Sequence, residues 1–154
     1  MIRIICHLDM DAFFAAIEER DNPQFRGLPI VVGADPKGGI GRGVVSTANY
    51  KAREYVIHSA MPISTAWRLS EAARRQGKSA AVFLPGSHRR YSEVSRRIME
   101  IVRRHAPLVE EASIDEAYFD VSFTGSYGKA EEVCRKIRAE IKAEEELTCS
   151  IGIG

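Results

Sequence analysis

The sequence predicts an α+β fold: a ferredoxin-like (split βαβ) sheet domain with a small α/β domain inserted into it. Three observations predict this fold. An apolar run of strand length lies near the start, and two amphipathic helical patterns alternate with three strand-like runs in residues 85–154. The stretch between residues 12 and 84 contains strands and helices of its own. With that stretch set aside, the order is strand, helix, strand, strand, helix, strand, which is the split βαβ pattern.

The first element is a buried strand. Ile2 to Leu8 is an apolar run too short to cross a membrane and is typical of a central strand. Asp9 follows at the C-terminal end of this strand. Asp11 stands just before the helical stretch that starts at Ala12, so we predict that Asp11 is the N-cap of the first helix.

The sequence pattern of residues 12–84 predicts a small α/β domain. A strand at 28–33 and a strand at 43–47 flank the glycine-rich stretch 34–43, which lacks the Gly-Lys-Ser/Thr ending of a phosphate loop and is better interpreted as a hairpin connection. A short helix follows, then a helix from Pro62 to Arg75 with Trp67 expected in the core, and a strand at 80–84.

Tyr50 and Arg53 are neighbours on one face of that short helix, near its N-terminus. A phenol, a guanidinium and free backbone N–H groups suit a triphosphate. A surface ion pair of Arg53 explains the same pattern, and from local sequence it is the more economical interpretation.

Two long helices are predicted in residues 85–154. The first, Ser87 to Arg104, has one apolar face and carries arginines on the other, as a DNA-binding stripe would. Its arginines and glutamates are also spaced i,i+4, which favours a solvated face neutralised by ion pairs within the helix. The second helix runs from Lys129 to Glu146, and a closing strand follows at 148–153.

An acidic hairpin provides the main chemical signal. Val109 to Ala112 and Ala117 to Val121 are predicted as its arms, with Asp115 and Glu116 at the bend. In the split βαβ topology the third strand lies between the first and the second. The bend should therefore lie beside the C-terminal end of the first strand, where Asp9 stands.

Three converging carboxylates repel one another. Two unit charges about 4 Å apart cost about 4 kcal/mol at an effective dielectric constant near 20. Either a pKa is raised or a divalent cation binds between them. Oxygen ligands without His or Cys favour Mg²⁺, and phosphoryl or nucleotidyl transfer with two metal ions is the natural chemistry.

Composition limits the other classes of function. The 154 residues are 45% hydrophobic and carry a net charge of +1, which is typical of a globular protein without an overall charge signal for nucleic acid. Cys6, Cys134 and Cys149 are expected to be reduced core residues. We expect a cytoplasmic protein with no secretion signal and no membrane anchor, and the four histidines show no metal-site spacing.

Three segments resemble the signature motifs of Y-family translesion DNA polymerases: Leu8 to Glu18, Ser46 to Arg53, and Ala112 to Tyr118. The similarity is strongest to the DNA polymerase IV (DinB-like) branch and covers essentially the whole chain in order. The resemblance implies a palm formed by residues 1–11 and 85–154, and fingers formed by residues 12–84. It also implies template-directed translesion synthesis, by two-metal nucleotidyl transfer from a dNTP to a primer 3′-OH.

The resemblance assigns roles to individual residues. It implies that the catalytic and metal-binding carboxylates are Asp9, Asp115 and Glu116, and that Met10 adds its main-chain carbonyl. Phe14 falls at the steric gate that excludes a 2′-hydroxyl, while Phe13 lies in the nucleotide-binding segment but is expected to be core. It further implies that the residues holding the incoming triphosphate are Thr47, Tyr50 and Arg53.

The implied cofactors are two Mg²⁺ ions, with Mn²⁺ as a substitute, and the implied partners are primer-template DNA and a dNTP. A sliding clamp would bind through regions outside this chain, and no membrane partner and a monomeric state are expected. The chain stops before the family's next lysine and lacks the thumb and little-finger domains. We therefore expect a palm-and-fingers fragment whose independent activity is open.

One departure concerns Val56, which stands where the family usually has glycine. Valine is a poor residue for a left-handed helix cap, so we expect this turn to be built differently. Two other functions stay open: a nucleotidyl cyclase-like enzyme on the same palm, and a non-catalytic DNA- or nucleotide-binding module in which the acids are structural. A purely structural domain is the least favoured, because it gives no reason to gather three acids.

Overall fold

The computed structural model describes residues 2–154, which form two compact units. We call residues 2–11 with 88–154 the discontinuous unit, and residues 12–87 the inserted unit. In chain order, the strands and helices are β1 (Ile5–Met10), α1 (Phe13–Asp21), β2 (Ile30–Gly33), β3 (Val45–Ala48), α2 (Tyr50–Arg53), α3 (Ile63–Arg75), β4 (Val82–Leu84), α4 (His88–Arg103), β5 (Leu108–Ser113), β6 (Glu116–Asp120), α5 (Tyr127–Glu145) and β7 (Cys149–Ile153).

The discontinuous unit is the split βαβ domain that the sequence predicts. Its strand order is β5-β6-β1-β7, and β1 is antiparallel to both of its neighbours. The third strand of the pattern therefore lies between the first and the second, as expected. Along β1 the buried side chains of Cys6, Leu8 and Met10 alternate with more accessible ones at Ile5, His7 and Asp9. One face of the sheet thus forms the core, and α4 and α5 pack together within this unit.

Helix α4 buries its predicted apolar face, which includes Tyr91, Val94, Ile98, Ile101 and Val102. The expectation that its other face is neutralised within the helix is only partly right. Arg89 lies 3.6 Å from Glu93 as predicted. Two further arginines instead pair with helix α5: Arg97 with Glu145 at 2.9 Å, and Arg104 with Glu144 at 2.6 Å. The two helices lie side by side, so these guanidinium groups bind carboxylates that are distant in sequence.

The inserted unit has a second sheet with the order β3-β2-β4. Strand β2 pairs antiparallel with β3 and parallel with β4, and α1 contacts both β2 and β3. The glycine-rich stretch does connect two antiparallel strands, through a short 3₁₀ turn at Lys37–Gly39. Trp67 is half-buried rather than fully in the core, because its ring packs against Phe83 at the edge strand with 5.6 Å between ring centroids.

The predicted N-cap role of Asp11 is wrong. The backbone N–H of Asp11 still donates to Thr148 O at 3.1 Å, so this residue continues the sheet ladder. Its carboxylate consequently points to the β7 side and accepts hydrogen bonds from Thr148 Oγ1 at 2.8 Å and Ser150 Oγ at 3.1 Å. The residue at the N-cap position is Ala12, in a left-handed conformation with φ 42°.

The expectation of a different turn at Val56 is also wrong. Val56 adopts the left-handed conformation with φ 67°, although its side chain is β-branched. Its N–H donates to Arg53 O at 2.9 Å, and the N–H of Ile57 donates to Ala52 O at 3.3 Å, which is the hydrogen-bond pattern of a Schellman cap. Ile57 and Ala52 are both fully buried, so burial of this apolar pair holds Val56 in an unfavourable conformation.

All three cysteines are free and buried, as predicted, and the Sγ atoms of Cys6 and Cys134 lie 3.6 Å apart. Within residues 2–154, no helix is both long and apolar enough to cross a bilayer.

Candidate functional site

Strand register places the acidic residues together at one end of the discontinuous sheet. Asp9 on β1 lies directly opposite Glu116 on β6. Asp115 occupies the turn between β5 and β6, and its carbonyl accepts a hydrogen bond from the N–H of Met10 at 3.0 Å. The three acids thus come from segments far apart in the sequence, and antiparallel pairing on both sides of β6 sets their positions.

Their side chains lie on the accessible face of the sheet. Asp9 is exposed, whereas the neighbouring Leu8 and Met10 are buried. Met10 as a whole residue is only 4% exposed, and its N–H is bonded to the carbonyl of Asp115. The alternation of the strand therefore aims carboxylates outward and keeps the apolar side chains in the core.

Two carboxylates are linked by hydrogen bonds to neighbouring strands. Ser113 Oγ lies 3.0 Å from Asp115 Oδ1 and 3.1 Å from Glu116 Oε2. The other Glu116 oxygen, Oε1, lies 3.1 Å from His7 Nε2. Since a hydroxyl carries a single proton, Ser113 satisfies one carboxylate at a time, and the two acids compete for it.

The electrostatics of the cluster are unfavourable. Partial burial raises the pKa of Asp9, and the negative charges of Asp115 and Glu116 raise the pKa of this carboxyl further, whereas His7 acts in the opposite direction. These are the expected effects of desolvation and like charge on a carboxylic acid. The site therefore favours either a proton or a cation near Asp9.

The donor set suits a hard cation, since the acids and the Met10 carbonyl offer only oxygen atoms. In the part of the chain that the structure describes, no group of three or more His, Cys, Asp or Glu side chains is arranged to hold a metal ion. Both carboxylate oxygens of Glu116 have a neighbour within hydrogen-bond distance, Oε1 at His7 and Oε2 at Ser113. Backbone positions thus bring the predicted ligands together, and neighbouring side chains hold Glu116.

A second set of predicted residues lies in the inserted unit, on and beside α2. Tyr50 is 61% exposed, and the Arg53 guanidinium carbon lies 4.8 Å from the centre of its ring. Arg53 Nε donates to Ala48 O at 2.9 Å. Among the described residues, no carboxylate lies within ion-pair distance of Arg53, so the alternative of a surface ion pair loses its support. Thr47 is half-buried on β3, opposite Val32.

Sequence reasoning missed Asn49, the residue that organises this region. Its Oδ1 accepts from the N–H groups of Ala52 at 3.0 Å and Ile30 at 2.9 Å, and its Nδ2 donates to Leu28 O at 2.9 Å. Asn49 is thus the N-cap of α2 and also fixes that helix to β2. The available signal was an asparagine immediately before a helical stretch, which is a preferred N-cap residue.

The two phenylalanines at the start of α1 differ in exposure. Phe13 is 2% exposed and belongs to the core, whereas Phe14 is half-buried, and their ring centroids lie 5.9 Å apart. Consecutive helical residues point about 100° apart, so one of the pair faces the interior while the other keeps accessible surface.

Comparisons with known proteins identify the relatives of the chain. The model of the impB/mucB/samB family matches residues 8–154. DNA polymerase IV of Methanoculleus marisnigri is 49% identical over 98% of this chain and 40% of its own length. DNA polymerase IV of Streptococcus mutans is 47% identical over 98% of this chain and 39% of its own length. The chain therefore spans about two fifths of the length of these relatives.

Solved structures give the same result. DinB from Sulfolobus solfataricus superposes with a TM-score of 0.84 at 37% identity, covering 98% of this chain and 42% of that protein. An insertion ternary complex of Dbh DNA polymerase superposes with a TM-score of 0.85 at 37% identity, again over 98% of this chain and 42% of that protein.

Proposed function

This chain belongs to the impB/mucB/samB family of Y-family DNA polymerases, and from that premise we propose that it forms the palm and fingers of a template-directed translesion DNA polymerase. The observation that carries the proposal is the register that sets Asp9 opposite Glu116, with Asp115 in the adjoining turn. Palm residues 1–11 and 85–154 and fingers residues 12–84 are the proposed domains. The two compact units, 2–11 with 88–154 and 12–87, support this division.

The proposed reaction is nucleotidyl transfer from a dNTP to a primer 3′-OH. The new bond joins the 3′-oxygen to the α-phosphorus, and pyrophosphate leaves. Asp9, Asp115, Glu116 and the Met10 carbonyl would hold two Mg²⁺ ions, with Mn²⁺ as a substitute. Such ions, when bound, lower the pKa of the attacking hydroxyl and neutralise charge on the phosphates. The chain's own part is to hold the carboxylates at fixed backbone positions on a paired sheet.

The inserted unit supplies the proposed nucleotide-binding residues. Arg53 and Tyr50 offer a guanidinium and an exposed phenol side by side, a combination that suits the negative oxygens of a triphosphate. Thr47 adds a hydroxyl on the preceding strand. Phe14 keeps accessible ring surface and is the proposed steric gate against a 2′-hydroxyl, while Phe13 supports it from the core.

Primer-template DNA and a dNTP are the proposed partners, which the similarity to a ternary complex of Dbh DNA polymerase supports. The net charge of +1 gives this stretch no overall positive charge for DNA. We therefore assign most of the DNA grip, and any contact with a sliding clamp, to sequence outside these residues. A monomeric, cytoplasmic enzyme without a membrane partner completes the proposal.

Primer extension tests the catalytic role of the acids. In a full-length polymerase that carries this sequence, Asp115→Asn is expected to lower kcat by about a thousandfold or more, because it removes charge where transition-state charge must be balanced. The control is Glu110→Gln, which alters an exposed carboxylate on the same hairpin. If Asp115→Asn keeps full activity, or loses activity only as much as the control, Asp115 has no catalytic role. If the unaltered polymerase does not extend a primer but still binds DNA, a non-catalytic binding module is the better interpretation.

Sugar discrimination tests the steric gate and separates a polymerase from a cyclase-like enzyme. Phe14→Ala is expected to raise the ratio of ribonucleotide to deoxynucleotide incorporation by about a hundredfold, since the ring would no longer meet the 2′-hydroxyl. Phe123→Ala, at an exposed aromatic ring of the discontinuous unit, serves as the control. Unchanged discrimination in Phe14→Ala would remove this residue from the nucleotide pocket.

A further inference from the structure

His7 lies on β1 beside the proposed catalytic carboxylates. It shares the accessible face of the strand with Asp9, two residues further on. Across the β1–β6 ladder it stands opposite Tyr118, and the two ring centroids are 4.8 Å apart. Its Nε2 atom lies 3.1 Å from Glu116 Oε1. The histidine is therefore built into the acidic end of the sheet, although its sequence spacing gives no metal-site signal.

We propose that His7 is a positioning residue that fixes the carboxylate of Glu116 for nucleotidyl transfer. This inference rests on the proposed polymerase function and deepens it. A glutamate has three rotatable side-chain bonds, so its carboxylate needs contacts from neighbours to hold one orientation. His7 on β1 forms a hydrogen bond with Oε1 of Glu116, and Ser113 on β5 forms one with Oε2. Glu116 on β6 is thus tied to both adjacent strands.

The direction of the hydrogen bond follows from the chemistry of the groups. An ionised carboxylate only accepts, so Nε2 must carry the proton and donate. A neutral imidazole in this tautomer is sufficient, and no change of charge is required. Tyr118 packs against the imidazole ring from β6, and on the other side the residue opposite His7 is Gly152, which adds no side chain. The phenol ring therefore confines the imidazole, and the imidazole orients the carboxylate.

Three substitutions separate the hydrogen bond from the packing. His7→Phe keeps a ring against Tyr118 but removes the donor. His7→Gln places an amide N–H near the position of Nε2, whereas His7→Asn places it near Nδ1, out of reach of Glu116. Loss of a hydrogen bond that orients a site ligand costs about 10- to 100-fold in comparable sites. We expect His7→Phe and His7→Asn to lower kcat by that factor, with KM for the dNTP changed less than about twofold, and His7→Gln to restore most of kcat.

A second readout requires no catalysis. In the 154-residue chain with metal chelated, the effects of His7→Phe and Glu116→Ala on the melting temperature should be non-additive, because both changes remove the same hydrogen bond. Additive effects would overturn the link. So would a wild-type kcat in His7→Phe, or a His7→Gln variant no more active than His7→Asn. If the unaltered protein does not extend a primer, the proposed polymerase function fails; if it does so and Asp115→Asn is inactive, only the role of His7 fails.

Discussion

The two units place their candidate residues by different means. In the discontinuous unit the acids come from β1 and from the β5–β6 turn, and long-range strand register brings them together. In the inserted unit Thr47, Tyr50 and Arg53 are near neighbours in sequence, and the cap formed by Asn49 fixes them. The first arrangement depends on the whole sheet, whereas the second depends on the few hydrogen bonds of Asn49, one within α2 and two to Ile30 and Leu28. A change far along the chain can therefore move the acids, while α2 responds mainly to its own cap.

The two regions also differ in electrostatic cost. Partial burial raises the pKa of Asp9, and repulsion from Asp115 and Glu116 raises this pKa further. Arg53, in contrast, lies over the ring of Tyr50, an exposed cation–π contact worth about 0.5–1 kcal/mol. One region is thus under electrostatic strain until positive charge is supplied, and the other is favourable as it stands. Functional sites commonly reduce stability in the first way.

The largest effect on stability is expected at Asn49, because this residue holds α2 in the inserted unit. Asn49→Ala removes three hydrogen bonds and leaves buried N–H groups of Ile30 and Ala52 without this acceptor. We expect a loss of about 3 kcal/mol in the free energy of unfolding, measured by urea denaturation. The matched control is Ser126→Ala at the N-cap of α5, where one hydrogen bond to Lys129 N is lost and about 1 kcal/mol is expected. Equal losses in the two variants would contradict the organising role of Asn49.

A smaller effect of opposite sign is expected at Val56. Val56→Gly relieves a left-handed conformation that costs a non-glycine residue about 1–2 kcal/mol, against a smaller entropic cost of glycine in the unfolded chain. The urea midpoint should therefore rise, and the free energy of unfolding should increase by about 1 kcal/mol. Val44→Gly, at a partly exposed valine without a positive φ, should lower the midpoint. A decrease for both variants would show that the turn at Val56 is unstrained.

The smallest expected effect on stability is at Asp9, and it tests the electrostatic difference between the two regions. Because the pKa of Asp9 is raised in the folded state, the ionised group lowers stability at neutral pH, and this penalty disappears as the pH falls through the folded-state pKa. With metal chelated, Asp9→Asn should raise the free energy of unfolding by about a few tenths of a kcal/mol at pH 7 and leave it unchanged near pH 3. The expected gain is small because solvent screens the charge of an exposed group.

Asp120 supplies the control of opposite sign. Hydrogen bonds from Ser122 lower the pKa of Asp120, so its ionised form favours the folded state, and that contribution is lost as the pH falls through the lowered pKa. Asp120→Asn should therefore lose stability at pH 7 and not at pH 2. Melting curves over this pH range check both variants, and equal signs for Asp9→Asn and Asp120→Asn at pH 7 would contradict the comparison.

The sequence was sufficient for the fold and for the meeting of the acidic segments. Strand-length apolar runs, helical periodicity and the handedness of the split βαβ pattern together determine that the β5–β6 turn lies beside the end of β1. These signals are strong because the sheet face and helix stripes must bury their apolar residues, and only a few arrangements do so.

The remaining errors all involve interactions between segments distant in sequence. Asp11 is a residue type that is common at N-caps. Its backbone nevertheless continues the ladder with β7, and its carboxylate accepts a hydrogen bond from Thr148. Arg97 and Arg104 each have a glutamate four residues away, but each forms a bidentate ion pair with a glutamate of α5 instead. At Val56, burial of Ile57 in one cluster with Val31 and Val45 overrides the residue's own backbone preference. Local preference was outweighed by tertiary contacts in each case.

The central position of β1 has a consequence for synthesis on the ribosome. This strand is translated before its two partners, β6 and β7, which follow only after more than a hundred further residues. At typical elongation rates of about 5–20 residues per second, the gap is roughly 5–20 s for β6 and roughly 7–30 s for β7. The inserted unit is continuous in sequence and can complete its sheet during that interval. Strand β1 meanwhile exposes two unpaired edges and an apolar face, so it is open to non-native pairing until β6 and β7 are made.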